Sequence, residues 1–597
     1  MSYIPTRSRR RRVGVFSLRM LYLSFLLIAS MLCAAWAQDE EDAMDAQDDE
    51  TIVITQDDVD AMISDQGEEQ TTDQQGRPTL RAMQQAGMLP DLEAAYGFPS
   101  RQYIYRDWLN TPGLNFLVPI ENRIREQEAE YRRMMAGRPW SEGLQRDLDL
   151  LEDEIGKVET EREQALRDRI AELETSAGLS PDQRSRDALL NMALALNFMD
   201  EGKAKQALDV LARAARDLPD EPLVHALIGA ALREVGQNAA AREELRTALN
   251  GQPHLLLALV TLAEVNEDEL NYEAAAELWD RARQARANLP EGEGRLPSGF
   301  SDRFVLRMRM ARLHDFAKKY YEADDRAGYR LVYDPSLGVL SRNEVVVPLK
   351  EAVDLYLEGG ERAIDPARLD RLFVDLNRER DPDAFRVIVS RVSDSLEAAM
   401  RDLSRQLPRG RSARPIVVLY NPDVWETLIA SRQTLGSYAP HGGVISLYLT
   451  GRMNPNDLRN TVYHEYAHFL TFDVTGPREL PLWLVEGLAE YLALESGYDR
   501  FGADSTMARW RDIWAKDAVE RPWFNKGHED FTDADSFKAR RAVAVLARAF
   551  GPNGLGAFLE ALGDGADLNE ASIRAFRMDY RELLQFIIRR LPTLIER

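Results

Sequence analysis

The 597-residue sequence predicts an α+β protein that is mostly α. Three observations carry this. Residues 188–289 repeat small and apolar positions every 34 residues, the length of one stacked helical hairpin. Before them, Leu144, Leu148, Leu151, Ile155 and Val158 alternate steps of three and four, with charges between, which is a helical stripe. After residue 300, short β-type runs alternate with helical stretches. The chain is too long for one core, so three or four units are expected.

The first unit reads as an export signal. Arg7 and the four arginines at 9–12 form a basic stretch, and 21–35 form an apolar one. Ala35-Trp36-Ala37 then offers a small-x-small cleavage site. Residues 1–37 are therefore expected to be a cleavable signal peptide, and the protein to be periplasmic or secreted from a bacterium. An uncleaved anchor is the alternative, and only that reading would bring a membrane; the apolar stretch is short for a span. Cys33, the single cysteine, lies inside the signal, so the mature chain would hold no disulfide.

Removing residues 1–37 takes away six arginines and no acid, which moves the formal charge from −24 to −30. Such acidity argues against a nucleic-acid partner. Residues 38–78, rich in Asp and Glu and poor in large apolar groups, are expected to be a disordered leader, because little burial would offset the ordering entropy.

Residues 79–180 read as a helical or coiled-coil segment, broken at Gly137-Arg138-Pro139. Its stripe serves either oligomerisation or packing on a neighbouring element.

The repeat units start near 188, 222 and 256. One phase carries Ala195, Gly229 and Ala263, and twelve residues later stand Ala207, Ala241 and Ala275. Leu211, Leu245 and Trp279 follow, then Ala214, Ala248 and Ala282. Pro219 and Pro253 end the first two units. Small residues let two antiparallel helices approach closely, and a proline stops the second helix. The pattern resembles the tetratricopeptide repeat, which implies an α-solenoid that either binds a protein partner or acts as a spacer. His225 and His254 lie here, in packing or surface positions.

A linker is expected at 289–298, and the remainder, 300–597, forms one further region. Strands are expected at 329–333, 385–389, 416–420 and 444–449, with a helix over 393–407. Later helices are expected at 537–550, stopped by Gly551, at 555–562 and at 580–591.

The chemistry is concentrated in His464-Glu465-Tyr466-Ala467-His468, an H-E-x-x-H sequence. Histidines four apart share one helix face, so their rings can converge on one zinc ion. Glu465 then stands beside the metal as a general base for a bound water. Leu458, Val462, Tyr466, Phe469 and Leu470 give the helix an apolar stripe. A catalytic zinc also needs a third protein ligand, and Glu486 is the candidate.

Trp483, Leu484, Glu486, Gly487, Ala489 and Tyr491 spell W-L-x-E-G-x-A-x-Y. The two motifs together resemble the gluzincin metallopeptidases, the superfamily of thermolysin, and most nearly the peptidase-MA-like envelope proteins fused to tetratricopeptide repeats. The resemblance implies a two-lobed catalytic domain with Zn2+ bound by His464, His468 and Glu486, and Glu465 as base. It makes Glu490 a carboxylate that orients a ligand imidazole, that of His464. The stretch between His468 and Glu486 is slightly shorter than in the zinc aminopeptidases, and their G-A-M-E-N motif is absent, so aminopeptidase activity is not implied.

In relatives the edge strand before the H-E-x-x-H helix pairs with an extended substrate. Here Gly443, Val444, Ile445 and Ser446 would take that role, with an ordinary core strand as the alternative. His441 precedes that strand. Relatives also supply an oxyanion donor, often a tyrosine near the start of the helix that here ends at Gly551. This chain has Ser536 and Phe537 there, which leaves His528 or Tyr498.

The expected function is a zinc metallopeptidase acting on protein or peptide substrates in the bacterial envelope, with the repeats binding a partner or the substrate. The alternative is a catalytically inactive peptidase-like scaffold. A serine or cysteine hydrolase lacks support: no G-x-S-x-G and no mature cysteine occur.

Overall fold

The computed structural model describes residues 98, 101–109, 111, 113–135, 141–174, 181–288, 300–339, 346–407, 414–421, 436–439, 443–449, 454–497, 521–526 and 531–591. The expected signal peptide and acidic leader, the linker at 289–298, and His441, Tyr498 and His528 lie outside the described residues. The described part is mostly helical with one small mixed sheet, an α+β arrangement.

Helix α1 (Arg101–Trp108) leads into α2 (Val118–Met135) and the long α3 (Glu142–Glu174), which pack together as a pair. The leucine stripe of α3 is spent inside the chain. Leu144 and Leu148 join the core that holds the sheet and the C-terminal helices, whereas Val158, Leu166 and Ile170 join the repeat core. Of the two roles expected for this stripe, packing is the one the structure displays.

Three helical hairpins come next: α4 (Pro181–Asp200) with α5 (Ala204–Asp217), α6 (Pro222–Glu234) with α7 (Asn238–Gly251), and α8 (Leu256–Asp268) with α9 (Tyr272–Ala287). The small residues sit at crossings. Ala207, Ala241 and Ala275 are fully buried, and a Cβ on Gly229 would lie 2.6 Å from Leu245 Cγ. Each hairpin turns on a residue with positive φ: Gly202 at 69°, Gly236 at 75° and Leu270 at 60°, one per 34-residue period.

Helix α10 (Phe300–Tyr320) joins the repeats to the sheet. Phe304, Met308 and Ala311 belong to the repeat core, while Leu313, Phe316 and Ala317 belong to a third core beneath the sheet. The two regions expected to part at residue 300 thus share one helix.

The sheet has five strands in the order β1-β2-β3-β5-β4: β1 (Glu322–Asp325), β2 (Arg330–Tyr333), β3 (Ile416–Tyr420), β4 (Gly436–Ala439) and β5 (Val444–Tyr448). β2, β3 and β5 run parallel, and β1 and β4 are antiparallel additions. Alternation along the strands gives two apolar faces. Leu331, Val417, Leu419, Ile445 and Leu447 face the core that contains α14 (Pro455–Thr475). Val332, Val418, Tyr420, Val444 and Tyr448 face α10 and α11 (Val346–Gly359).

Two expectations are corrected. Residues 385–389 are helical, inside α13 (Pro382–Leu403), which follows α12 (Pro366–Glu379). The Asp381 side chain caps α13 by accepting from the backbone N–H groups of Asp383 and Ala384, and Pro382 opens its first turn. Val387 is exposed while Val392, Leu396, Ala399 and Leu403 are fully buried, a period of helix rather than strand. The second correction concerns β5. It is paired on both sides, to β3 and to β4, so Gly443, Val444, Ile445 and Ser446 do not form an edge. Among the described strands β4 takes that edge.

Beyond α14 come α15 (Leu482–Glu495), α16 (Asp533–Gly563), α17 (Leu568–Phe576) and α18 (Tyr580–Arg590). Gly551, at φ 70° and ψ 173°, breaks α16 into two helical pieces, where the sequence stops the 537–550 helix. This helix is long and apolar enough to cross a membrane, but Phe537, Ala539, Leu546 and Leu559 are buried in the core.

Candidate metal centre

Helix α14 carries the two histidines. It starts on Asn454, whose side chain accepts from Asn456 N–H, with Pro455 at the first helical position. It stops at Gly476, whose φ of 76° suits a residue without a Cβ. Leu458, Val462, Tyr466, Phe469 and Leu470 are all buried, as the stripe predicts. The Tyr463 hydroxyl donates to Asp402 at 2.6 Å, which ties α14 to α13.

Helix α15 brings the carboxylates. Trp483, Leu484, Leu488 and Ala489 are buried, and Trp483 Nε1 donates to the Tyr580 hydroxyl at 3.3 Å. Gly487 makes the approach of α16 possible. A Cβ there would lie 2.5 Å from the carbonyl oxygen of Ala539 and 2.8 Å from Val543 Cγ2. The glycine next to Glu486 is thus a packing requirement.

The two helices bring His464, His468 and Glu486 together, with one potential donor atom from each lying within 4.8 Å of the others. The two Nε2 atoms are 3.0 Å apart. Glu486 Oε2 is 3.6 Å from His464 Nε2, and its Oε1 is 3.6 Å from His468 Nε2. Two donors about 2.05 Å from a tetrahedral zinc would stand about 3.3 Å apart. The observed edges bracket that value, so the donor set fits a zinc ion in chemistry and in size.

On the far side of His464, Nδ1 lies 3.3 Å from Glu490 Oε1, and Glu490 is only 2% exposed. Burial alone would push the His464 pKa down. The carboxylates of Glu490, Glu465 and Glu486 outweigh it and raise the value to about 9. This corner is therefore strongly negative and suited to a cation. Glu465 is buried on the same helix.

Other expected site residues are placed elsewhere. Ser446 is fully buried on the opposite face of the sheet, where its Oγ lies 3.2 Å from His314 Nε2. Phe537 is fully buried, and Ser536 nearly so, at the start of α16.

One group has no sequence signal. Arg478, in the loop between α14 and α15, is buried and donates to the carbonyls of Ala566 at 2.7 Å and Val235 at 3.2 Å. Beside it, Glu479 meets Arg233 at 3.2 Å.

No protein-family model matches the sequence, and no curated protein or solved structure matches it.

Proposed function

We propose that the protein is a zinc-dependent metallopeptidase of gluzincin type, carried on tetratricopeptide-like repeats and acting on protein or peptide substrates in a bacterial envelope or its surroundings. The observation that carries this reading is the convergence of His464, His468 and Glu486, with Glu490 behind His464. A purely structural zinc site closes its fourth position with a protein ligand, whereas three protein ligands leave room for water.

In this reading His464, His468 and Glu486 hold the ion. When bound, zinc would polarise a peptide carbonyl and make its water a nucleophile near neutral pH. Glu465 takes the proton from the attacking water and delivers it to the leaving amine. Glu490, whose Oε1 lies 3.3 Å from His464 Nδ1, would orient that imidazole so that Nε2 faces the ion. An extended peptide would add beside β4, which lies against α14 and ends the sheet among the described strands. The signal peptide belongs to the same proposal.

A second reading, an inactive scaffold that still holds zinc, is favoured by one observation. Phe537, at the position where relatives place a hydroxyl donor, is buried and has no polar atom. The two are separated by incubating the zinc-loaded chain with a denatured protein or a peptide library, before and after chelation. The peptidase reading expects cleavage that disappears on chelation and returns with zinc. A zinc-loaded chain that cleaves no substrate contradicts it and favours the scaffold.

A further inference from the structure

The repeats present their turns, rather than only a groove, to the rest of the chain. Each hairpin turn offers one backbone carbonyl to a residue from beyond the repeats. Gly202 C=O accepts from Asn569 N–H at 3.0 Å, Val235 C=O from Arg478 at 3.2 Å, and Leu270 C=O from Lys318 Nζ at 3.1 Å. The same turns hold the positive-φ residues Gly202, Gly236 and Leu270. The tight geometry there leaves one carbonyl per hairpin, at or next to the positive-φ residue, free to accept from outside the repeats.

The first two contacts come from the part of the chain whose core also holds α14 and α15. At the first turn a Cβ on Gly202 would lie 2.7 Å from Leu568 and 2.9 Å from Tyr580, so α17 and α18 pack directly on the backbone. At the second turn Arg478 joins three pieces, because its other bond goes to Ala566 C=O in the α16–α17 turn. Arg233, 2% exposed and held by Glu264 at 2.7 Å and Asp268 at 3.4 Å, reaches Glu479 as well. Helices α6 and α8 are buried over nearly every face, so they are committed to contacts within the chain.

We infer that the first two of these turns, at Gly202 and at Val235, are the docking surface for the part of the chain that carries His464, His468 and Glu486, and that Arg478 is a positioning residue for the metal site. The second part rests on the zinc reading. The loop that holds Arg478 connects the helix of His464 and His468 to the helix of Glu486. Its guanidinium bonds to two carbonyls that belong to neither helix. A fork of N–H donors suits two acceptors in different directions, which a lysine cannot match. The repeats act as a frame that fixes how α15 sits against α14.

The test uses the full-length chain with Arg478→Ala, Arg478→Lys and, as control, Lys318→Ala. Zinc affinity is measured by competition with a chelator, and amide exchange over residues 476–490 is measured without metal. Arg478→Ala should weaken zinc by about tenfold or more, the range for residues that orient ligands. Exchange in 476–490 should rise about tenfold, since two charged hydrogen bonds are lost. Arg478→Lys should restore part of both, and Lys318→Ala should change neither. Unaltered exchange in Arg478→Ala overturns the docking. Faster exchange with wild-type zinc affinity overturns the positioning role. A wild-type chain that takes up no zinc overturns the metal reading itself, and exchange still decides the docking.

Discussion

Nδ1 of His464 stands 3.3 Å from Oε1 of Glu490, one helical turn beyond Glu486 on α15. In the proposed zinc site a single helix would thus supply both a carboxylate for the ion and a carboxylate behind one of its ligands. In the zinc reading, a proton kept on Nδ1 beside Glu490 would leave Nε2 free to bind the ion.

Glu490→Gln keeps the shape and removes the charge. Zinc should then bind about 10–100-fold more weakly, with the fold retained. Chelator competition on the purified variant checks this. An unaltered dissociation constant would show that Glu490 is an ordinary buried carboxylate.

Gly487→Ala places a methyl group 2.5 Å from the backbone oxygen of Ala539. Two helix backbones must separate to admit it. Overpacking of this kind costs about 1–3 kcal/mol or more. The urea midpoint of unfolding should fall accordingly, and zinc should bind less tightly because Glu486 moves with its neighbour. A midpoint equal to wild type contradicts the contact.

Asp535 gives the pH dependence a definite sign. It is 1% exposed and accepts from Trp523 Nε1 at 2.7 Å, from Thr532, and from Lys526 at 3.2 Å and Lys538 at 3.4 Å. Burial pushes its pKa up, but the bonds from Thr532 and Trp523 and the charge of Lys538 bring it below the usual value. A carboxyl with a lowered folded pKa stabilises fully above its unfolded pKa of about 3.9 and loses that stabilisation as pH falls through the folded value. Asp535→Asn should cost about 3–5 kcal/mol at pH 7, since it breaks a buried ion cluster. The gap in stability between wild type and variant should close as pH drops below about 4. A gap that stays constant from pH 7 to pH 3 would contradict the assignment.

The residues most legible in the sequence are those fixed by local periodicity. His464 and His468 must share a helix face, and Ala207, Ala241 and Ala275 recur with the hairpin length, so both are readable without partners. Residues 385–389 mislead, because a β-branched run says strand until Asp381 and Pro382 are read as the start of a helix. β4 has the sequence Gly-Ser-Tyr-Ala and is a strand only by pairing with β5. That pairing moves the sheet edge away from Gly443 to Ser446. The acidic β1 is likewise a strand by partnership with β2. Arg478 and Glu479 meet residues more than 240 positions earlier in the chain. No local pattern announces such contacts.

The central claim is that Glu465 works on a water held by zinc and does not itself hold the metal. The most direct measurement is zinc content and peptide cleavage by Glu465→Gln beside wild type. Gln is nearly isosteric but cannot take a proton at neutral pH. Zinc should stay at about one ion per chain, because the three donors are untouched. Cleavage should fall by about 10²–10⁴-fold, the usual worth of a general base. A Glu465→Gln chain with full zinc and undiminished cleavage would contradict the account.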